Sequence, residues 1–284
     1  MAVITTAWLP DSIAGKNIFM AGGTVFYLVS VIFVTAWVYG PTKEKTPITE
    51  TLVYGLSGTT GWDKLDLFSC EDMERNRELD KDGRKVRLNL IPLYISIWLH
   101  AYEEKTLKRI FLLYTRLHSK KEDSTSDSND RPELDSNVKE NLRKFFKKTS
   151  GCMNVAFKIH WPKEKDEEIE VVGSGERTID VHFIYVGSGN DVLEVKKKLG
   201  EDEKLQELLK KESEKVVFHV TGGTAVMTAV MMFEAIKGDA RAEYTVQGKQ
   251  DKDPNEIIKS WDITPDMIPD VWQAVEWFFE RQGL

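Results

Sequence analysis

The chain of 284 residues has little cysteine and no excess of positive charge. Its two cysteines, Cys70 and Cys152, lie outside any CxxC or Cys/His spacing, so the sequence carries no zinc signature. We expect both to be reduced thiols of a cytosolic domain. The formal net charge of −7 argues against direct binding of DNA or long RNA through phosphate neutralisation. A small anionic ligand held by backbone N–H groups remains compatible with this charge.

One long apolar run lies near the N terminus. No charged residue occurs from Asn17 to Thr42, and a helix of about 20 apolar residues spans a bilayer core. Trp37 and Tyr39 suit the membrane interface, and Pro41 ends the helix. A signal peptide would have a shorter apolar region and a small-residue cleavage site, and a buried core helix would show a polar face. The run therefore predicts a transmembrane helix.

The charges that flank this run predict its orientation. Lys16 precedes the run, whereas Lys43 and Lys45 follow it, which favours a cytoplasmic C-terminal side. We therefore expect a single-pass protein of the cell inner membrane. Its predicted parts are a short non-cytoplasmic N terminus (1–16), a transmembrane helix (17–40), a linker (41–50) and a large cytoplasmic domain (51–284).

The rest of the chain alternates apolar strands with helices. This order predicts a Rossmann-like α/β fold, a mostly parallel sheet flanked by helices. The predicted strands are 51–56, 109–115, 154–161, 178–186, 216–220 and 241–246, with a β-hairpin insertion between the third and the fourth. The predicted helices are 88–102, 137–148, 191–211 as one or two helices, 225–236 and a C-terminal helix at 266–281. A polar stretch at 118–136 is expected to be a flexible loop.

Three loops of small residues follow predicted strands. In open parallel sheets, ligands bind beyond the carboxyl ends of the strands. We therefore expect the ligand contacts to come from these loops and from the helix after the last of them. The candidate residues are Ser57, Gly58, Thr59 and Thr60, then Gly187, Ser188 and Asn190, and finally Thr221, Gly222, Gly223, Thr224 and Met227.

The third loop has the most specific composition. It lies within "VVFHVTGGTAVM", Val216 to Met227. Gly222 and Gly223 allow close backbone approach, and the unpaired N–H groups that open the next helix favour an anion. The loop can thus hold a phosphate or a ribose edge. It matches neither GxGxxG nor the P-loop, so a tight strand-to-helix turn without a ligand is an equally good interpretation of the residues alone.

The wider stretch "VVFHVTGGTAVMTAVMMFEAI" resembles the strand–turn–helix signature of the CARF family, the CRISPR-associated Rossmann fold. Thr221 to Thr224 and Met227 match that signature, whereas Ala225 replaces the usual lysine and removes a cation. "YGLSGTTG" lies where the family places its first ligand loop. The resemblance is sharp over 216–236 and loose over the rest of 51–247. With the predicted membrane helix, the chain resembles the membrane-anchored type of this family.

The resemblance implies a function. Such a domain forms a homodimer or a higher homo-oligomer and binds cyclic oligoadenylate, here expected to be cyclic tetra-adenylate. The messenger is made by a type III CRISPR complex that has detected foreign RNA. Residues 248–284 are too few for a nuclease domain, so the expected effector is the membrane helix. Binding would then drive helix assembly or gating in the lipid bilayer, depolarise the membrane and arrest growth in antiviral defence.

We expect no catalytic residue, no metal and no cofactor other than this ligand. Two alternatives stay open at this stage. One is a membrane-tethered ring nuclease that degrades cyclic oligoadenylate, with slow cleavage alongside gating as a variant. The other is a nucleotide sensor that signals to a separate membrane component.

Overall fold

The structure is a computed structural model, and it describes residues 48–56, 58–81, 84–119, 132–163, 167–246 and 252–261. The predicted transmembrane helix, most of the linker and of the 118–136 loop, and the predicted C-terminal helix lie outside these residues. Within the described part of the chain, no helix combines the length and the hydropathy needed to cross a membrane.

The sheet is mostly parallel, as predicted. Within the described residues it has eight strands, in the order β10-β9-β8-β1-β4-β7-β5-β6. Among the described strands of this sheet, only the two edge strands, β10 and β6, run antiparallel to their neighbours. A hairpin insertion is predicted between the third and fourth strands, and the hairpin found there pairs the third predicted strand, β5, with β6. A separate hairpin pairs β2 with β3. The strands are β1 Thr51–Gly55, β2 Leu79–Lys81, β3 Arg84–Val86, β4 Arg109–Tyr114, β5 Val155–Pro162, β6 Glu167–Val172, β7 Arg177–Tyr185, β8 Val216–His219, β9 Arg241–Thr245 and β10 Ile258–Trp261.

Helices cover both faces of the sheet. One face carries the first three helices, and the other carries the next three. The predicted helix at 191–211 is two helices, because Asp202 caps the second one by accepting a hydrogen bond from the Leu205 amide. The helices are α1 Cys70–Glu74, α2 Ile91–Ile97 with a π-helical extension Trp98–Glu103, α3 Ser136–Met153, α4 Val192–Glu201, α5 Glu203–Lys211, α6 Ala225–Lys237 and α7 Pro254–Ile257.

The central strands are buried on both faces. In β1, Leu52 and Tyr54 pack with α1–α3, and Val53 packs with α4–α6. Each such side chain stabilises the fold by about 1.5–3 kcal/mol. This two-sided burial explains why these strands are continuous apolar runs in the sequence.

The two cysteines form a disulfide, which corrects the expectation of reduced thiols. Cys70 in α1 and Cys152 in α3 have Cα atoms 5.9 Å apart, although 82 positions separate them in sequence. Packing on the same face of the sheet brings them together. The Lys148 ammonium of α3 donates to the carbonyl oxygen of Leu65, only five residues before Cys70, at 3.1 Å. Nothing in the spacing of the cysteines indicated this contact.

We predict that removing the disulfide destabilises the protein substantially. For a loop of this size the chain-entropy model gives a loss of about 4 kcal/mol. Thermal unfolding of the Cys70→Ser/Cys152→Ser variant should show a lower Tm than the parent, and a reductant should lower the Tm of the parent only. If thiol titration of the unreduced, denatured parent finds two free thiols, the disulfide is absent and this prediction is wrong.

Candidate functional site

The structure brings the predicted loops to one edge of the sheet. They follow β1, β7 and β8, whose carboxyl ends share that edge because the strands are parallel. The Thr224 hydroxyl donates a hydrogen bond to the carbonyl oxygen of Gly189, which links the second loop to the third. A Cβ on Gly55, at the end of β1, would lie 3.2 Å from the Gly223 Cα. Ser57 lies outside the described residues.

Glycine is required at both positions 222 and 223 of the third loop, for a different structural reason at each. Gly223 has a φ of +84°, a left-handed conformation that side chains disfavour. A Cβ on Gly222 would lie 2.1 Å from the carbonyl oxygen of Gly55, so only glycine fits there. Within the described part of the chain, neither glycine amide donates a hydrogen bond. Gly223 is partly exposed, so its amide can donate to a ligand, whereas Gly222 is buried.

The other predicted residues of the third loop hold its backbone in place through hydrogen bonds and packing. The Thr224 hydroxyl caps α6 by accepting from the Met227 amide at 3.2 Å. The Thr221 hydroxyl accepts from the Thr245 amide at 2.6 Å. Met227 is fully buried and lies beneath Gly223 and Gly189. As placed here, these three side chains shape the loop, and direct ligand contact by them stays a prediction.

The second loop already holds an anionic group. Gly187 and Gly189 have positive φ angles of 70° and 72°. The amide and hydroxyl of Ser188 both donate to one carboxylate oxygen of Glu194, at 2.9 and 3.2 Å. Asn190 is exposed, and its amide donates to the Ser188 hydroxyl at 3.3 Å. The loop can therefore bind an anion, and Glu194 fills that role in this structure.

The first loop is the most open of the three. Gly58, Thr59 and Thr60 are all exposed. The carbonyl oxygen of Gly58 accepts from the Asn89 side chain at 3.2 Å, and a Cβ on Gly58 would meet no atom within 4 Å. Substitutions at Gly58 can therefore probe a ligand without disturbing the packing.

Arg116 was missed by the sequence reasoning. It follows β4, the strand between β1 and β7, and its amide donates to the carbonyl oxygen of Gly187 at 2.9 Å. Its side chain is 70% exposed; Nε donates to the Tyr185 hydroxyl at 3.2 Å, and Nη2 lies 3.9 Å from Glu194. Arg116 thus supplies at this edge a cation that Ala225 does not. The available signal was an arginine placed just after a predicted central strand.

A buried carboxylate lies behind the third loop. Glu243 of β9 is fully buried and contacts Nδ1 of His219 and Nε2 of His100, both at 2.8 Å. It also accepts a hydrogen bond from the Ser96 hydroxyl. A buried charge of this kind is stable only when it is paired and hydrogen-bonded. The carboxylate therefore joins α2 and its π-helical extension to β8 and β9.

The same network reaches the loop itself. Nε2 of His219 lies 3.1 Å from the Thr245 hydroxyl, and the Thr245 amide donates to the Thr221 hydroxyl. A continuous polar chain thus runs from His100 to the Thr-Gly-Gly-Thr loop. It places Thr221 by hydrogen bonds rather than by packing alone.

The network sets the charge of its members. Burial alone would raise the pKa of Glu243, but His100 and His219 outweigh it and hold that pKa well below its usual range. For His100, burial lowers the pKa, but Glu243 and Glu104 raise it from 6.5 to about 9. Glu243 and His100 are therefore both ionised at neutral pH.

We predict that stability falls as the pH rises from 6.5 to about 9. A histidine whose pKa is raised by folding contributes its full stability below pH 6.5 and loses it as the pH passes through about 9. Urea unfolding of the parent at each pH measures this loss. Glu104→Gln removes the carboxylate 2.8 Å from Nδ1 of His100, so the decline should be smaller and should end at a lower pH. An identical pH profile for Glu104→Gln and the parent would contradict the assignment.

Comparison with known proteins gives little. No protein-family model matches the chain, and neither does any curated protein. The structure of Can2 from Sulfobacillus thermosulfidooxidans in complex with cyclic tetra-adenylate matches with 14% identity and a TM-score of 0.34, over 82% of this chain and 46% of that one. Enterococcus italicus Csm6 bound to cyclic hexa-2′-fluoro-hexa-dAMP matches with 12% identity and a TM-score of 0.37, over 73% of this chain and 35% of that one.

The chain therefore spans less than half the length of either solved structure. Similarity at this level carries no functional conclusion. What the site can bind has to be inferred from the geometry and charge of the loops.

Proposed function

We propose that this edge of the sheet binds a cyclic oligoadenylate, with cyclic tetra-adenylate as the first candidate. The observation that carries the proposal is the set of donors around the third loop. Neither the Gly222 amide nor the Gly223 amide donates to a described group, and both residues lie just before Thr224, which caps α6. Backbone donors at a helix start favour phosphate. Arg116 adds a cation suited to phosphate oxygens.

A homodimer would complete the site. One protomer offers one set of glycine amides and one Arg116, whereas a ring of nucleotides repeats its phosphates around a centre. Two copies related by a two-fold axis present the same donors to opposite sides of such a ring. We therefore propose a dimer or a higher homo-oligomer as the binding species.

The finer proposal is a membrane effector of type III CRISPR antiviral defence, in the cell inner membrane with a cytoplasmic sensor. It is supported by the apolar run at 17–40, which lies outside the described residues. Pro41 and Pro47 would stiffen the linker that joins this run to β1. A ligand shifts such an equilibrium only by its differential affinity for two states. Binding would then assemble or gate the membrane helices, depolarise the membrane and arrest growth.

Among the residues that the structure describes, no contact favours the ring-nuclease alternative. Cleavage would need a group free to position or deprotonate a ribose hydroxyl. The Thr221 and Thr224 hydroxyls contact backbone groups of the protein instead. Binding without required cleavage is therefore the function that we propose, and chromatography of the ligand after incubation measures any turnover.

We predict that Gly58→Leu weakens binding of cyclic tetra-adenylate by at least about tenfold, or 1.4 kcal/mol. The leucine side chain would project from an open loop into the space proposed for the ligand. Gly200→Leu is the matched control, because a Cβ there also meets no atom within 4 Å and the residue lies in α4. Calorimetric titration of both variants with cyclic tetra-adenylate, larger rings and linear oligoadenylates provides the measurement.

Whereas Gly58→Leu tests steric exclusion of the ligand, Arg116→Ala tests the contribution of a positive charge in the same titrations. It should lower the affinity and flatten its dependence on salt, since one phosphate contact is lost. Lys211→Ala is its control, because Lys211 ends α5, shortly before β8 begins at the opposite edge. Unchanged affinity in both folded variants, Gly58→Leu and Arg116→Ala, would contradict the proposed binding site.

We predict that charges placed in the apolar run abolish depolarisation and leave ligand binding intact. Leu28→Arg/Ile32→Arg puts two arginines near the middle of the run, at a cost of about 2.5–3.5 kcal/mol each. A potential-sensitive dye in cells supplied with the messenger measures the membrane response, and alkaline extraction of membranes measures anchoring. The conservative Leu28→Ile/Ile32→Leu variant is the control. Depolarisation by the arginine variant equal to the parent's would rule out the membrane mechanism.

A further inference from the structure

A cluster of two histidines and an aspartate lies on the sheet face away from α1–α3. His160 is on β5, and Asp180 and His182 are on the neighbouring strand β7. Asp180 and His182 are two positions apart, so their side chains share one face of β7. One potential ligand atom from each residue lies within 4.8 Å of the others. The sheet therefore places two imidazoles and a carboxylate together on rigid strands.

His160 is oriented as a metal ligand would be. Its Nε2 lies 3.2 Å from the Asp180 carboxylate, inside the cluster. Its Nδ1 lies 3.1 Å from the carboxylate of Glu167 on β6, outside it. A carboxylate that accepts from Nδ1–H fixes the tautomer in which Nε2 carries the lone pair. Metal-bound histidines are usually held this way by a second carboxylate.

His182 provides the second indication of a metal site. Its Nδ1 is buried and has no hydrogen-bond partner among the described residues. Its ring lies against that of His160, with the centroids 4.3 Å apart. An unpaired buried ring nitrogen is costly unless a partner binds it. A metal ion bound through Nδ1 would supply that partner.

Two neighbouring lysines do not block access of a metal ion to the cluster. Lys158 lies 3.8 Å from the Asp180 carboxylate, and Lys204 lies 3.5 Å from Glu167. Both lysine side chains are well exposed, so either can move into water at little cost. Tetrahedral Zn²⁺ needs ligand atoms about 3.4 Å apart, given bonds of about 2.1 Å. The present separations, all within 4.8 Å, would have to shorten to that value when the ion binds.

We propose that His160, Asp180 and His182 form a binding site for one divalent transition-metal ion, with Zn²⁺ as the best fit. Two imidazoles and one carboxylate are a ligand set that suits this ion, and a fourth position stays open to water. Glu167 acts through His160 as a positioning residue. The site is separate from the loops that follow β1, β7 and β8 and does not depend on their function.

The test is metal binding by the untagged full chain in detergent. Co²⁺ is titrated in metal-free buffer and followed by its visible absorption, and Zn²⁺ affinity is measured by competition with a chelator. We expect one equivalent to bind. Glu167→Gln should weaken binding about 10- to 100-fold, because it removes the carboxylate that orients a metal-bound histidine. His182→Gln and Asp180→Asn should weaken it more. Lys158→Met should tighten it, because a competing cation is removed.

Glu168→Gln is the matched control. Glu168 neighbours Glu167 on β6, but its carboxylate pairs with Lys139 of α3 at 2.8 Å, on the opposite face of the sheet. The affinity of the Glu168→Gln variant for the metal should equal that of the parent. Circular dichroism confirms folding of each variant. No saturable binding by the parent, or equal affinity in folded His182→Gln and the parent, would overturn the proposal.

Discussion

The close contact between the backbones of Gly222 and Gly55 is the constraint on which the candidate site depends. β1 and β8 are neighbours, and the chain leaving β8 must turn over the carboxyl end of β1 before α6 can begin. A Cβ at Gly222 would lie 2.1 Å from the Gly55 carbonyl oxygen, so no other residue permits this turn. Because the turn is that tight, Thr224 can cap α6 and also reach Gly189. One steric requirement thus positions a helix start, two loops and a row of backbone donors.

The sequence predicted those parts of the fold in which local pattern and tertiary environment agree. The continuous apolar runs of β1, β4 and β8 are strands because both faces of the sheet are covered, and the small residues at 187–190 and 221–224 do lie together at one edge. Contacts between distant segments were not readable in the same way. Cys70 and Cys152 meet only because α1 and α3 pack on the same face. Glu243, His100 and His219 each look unremarkable until helix packing places them around one buried charge. Arg116 became a site residue only once the strand order placed β4 between β1 and β7.

The disulfide bears on where the sensor works. Disulfides persist in oxidising compartments and are rare in the cytosol of mesophiles. The flanking charges of the apolar run favour a cytoplasmic location for the domain that follows it, and the proposed intracellular messenger needs that location. The Cys70–Cys152 bond and that location are compatible only if folding shields the bond or the source cell maintains cytosolic disulfides. Neither cysteine lies in the loops of the candidate site, so the bond affects the stability of the face formed by α1–α3 and not the ligand donors.

The acidic character of the chain limits how it can hold a polyanion. With a formal net charge of −7, the protein as a whole repels such a ligand. Attraction must therefore come from a few local donors that act at short range. Ser188 is an example of such local donors, since its backbone amide and its hydroxyl both donate hydrogen bonds to the Glu194 carboxylate. A phosphate that took these donors would displace Glu194, which lies in the first turn of α4 and also faces Arg116. Charge repulsion would move the displaced carboxylate away from the ligand. Because Glu194 belongs to α4, this movement would act on the start of that helix. Exchange of one anion for another at Ser188 is thus a physical route by which ligand binding could reach the helices that cover this face of the sheet.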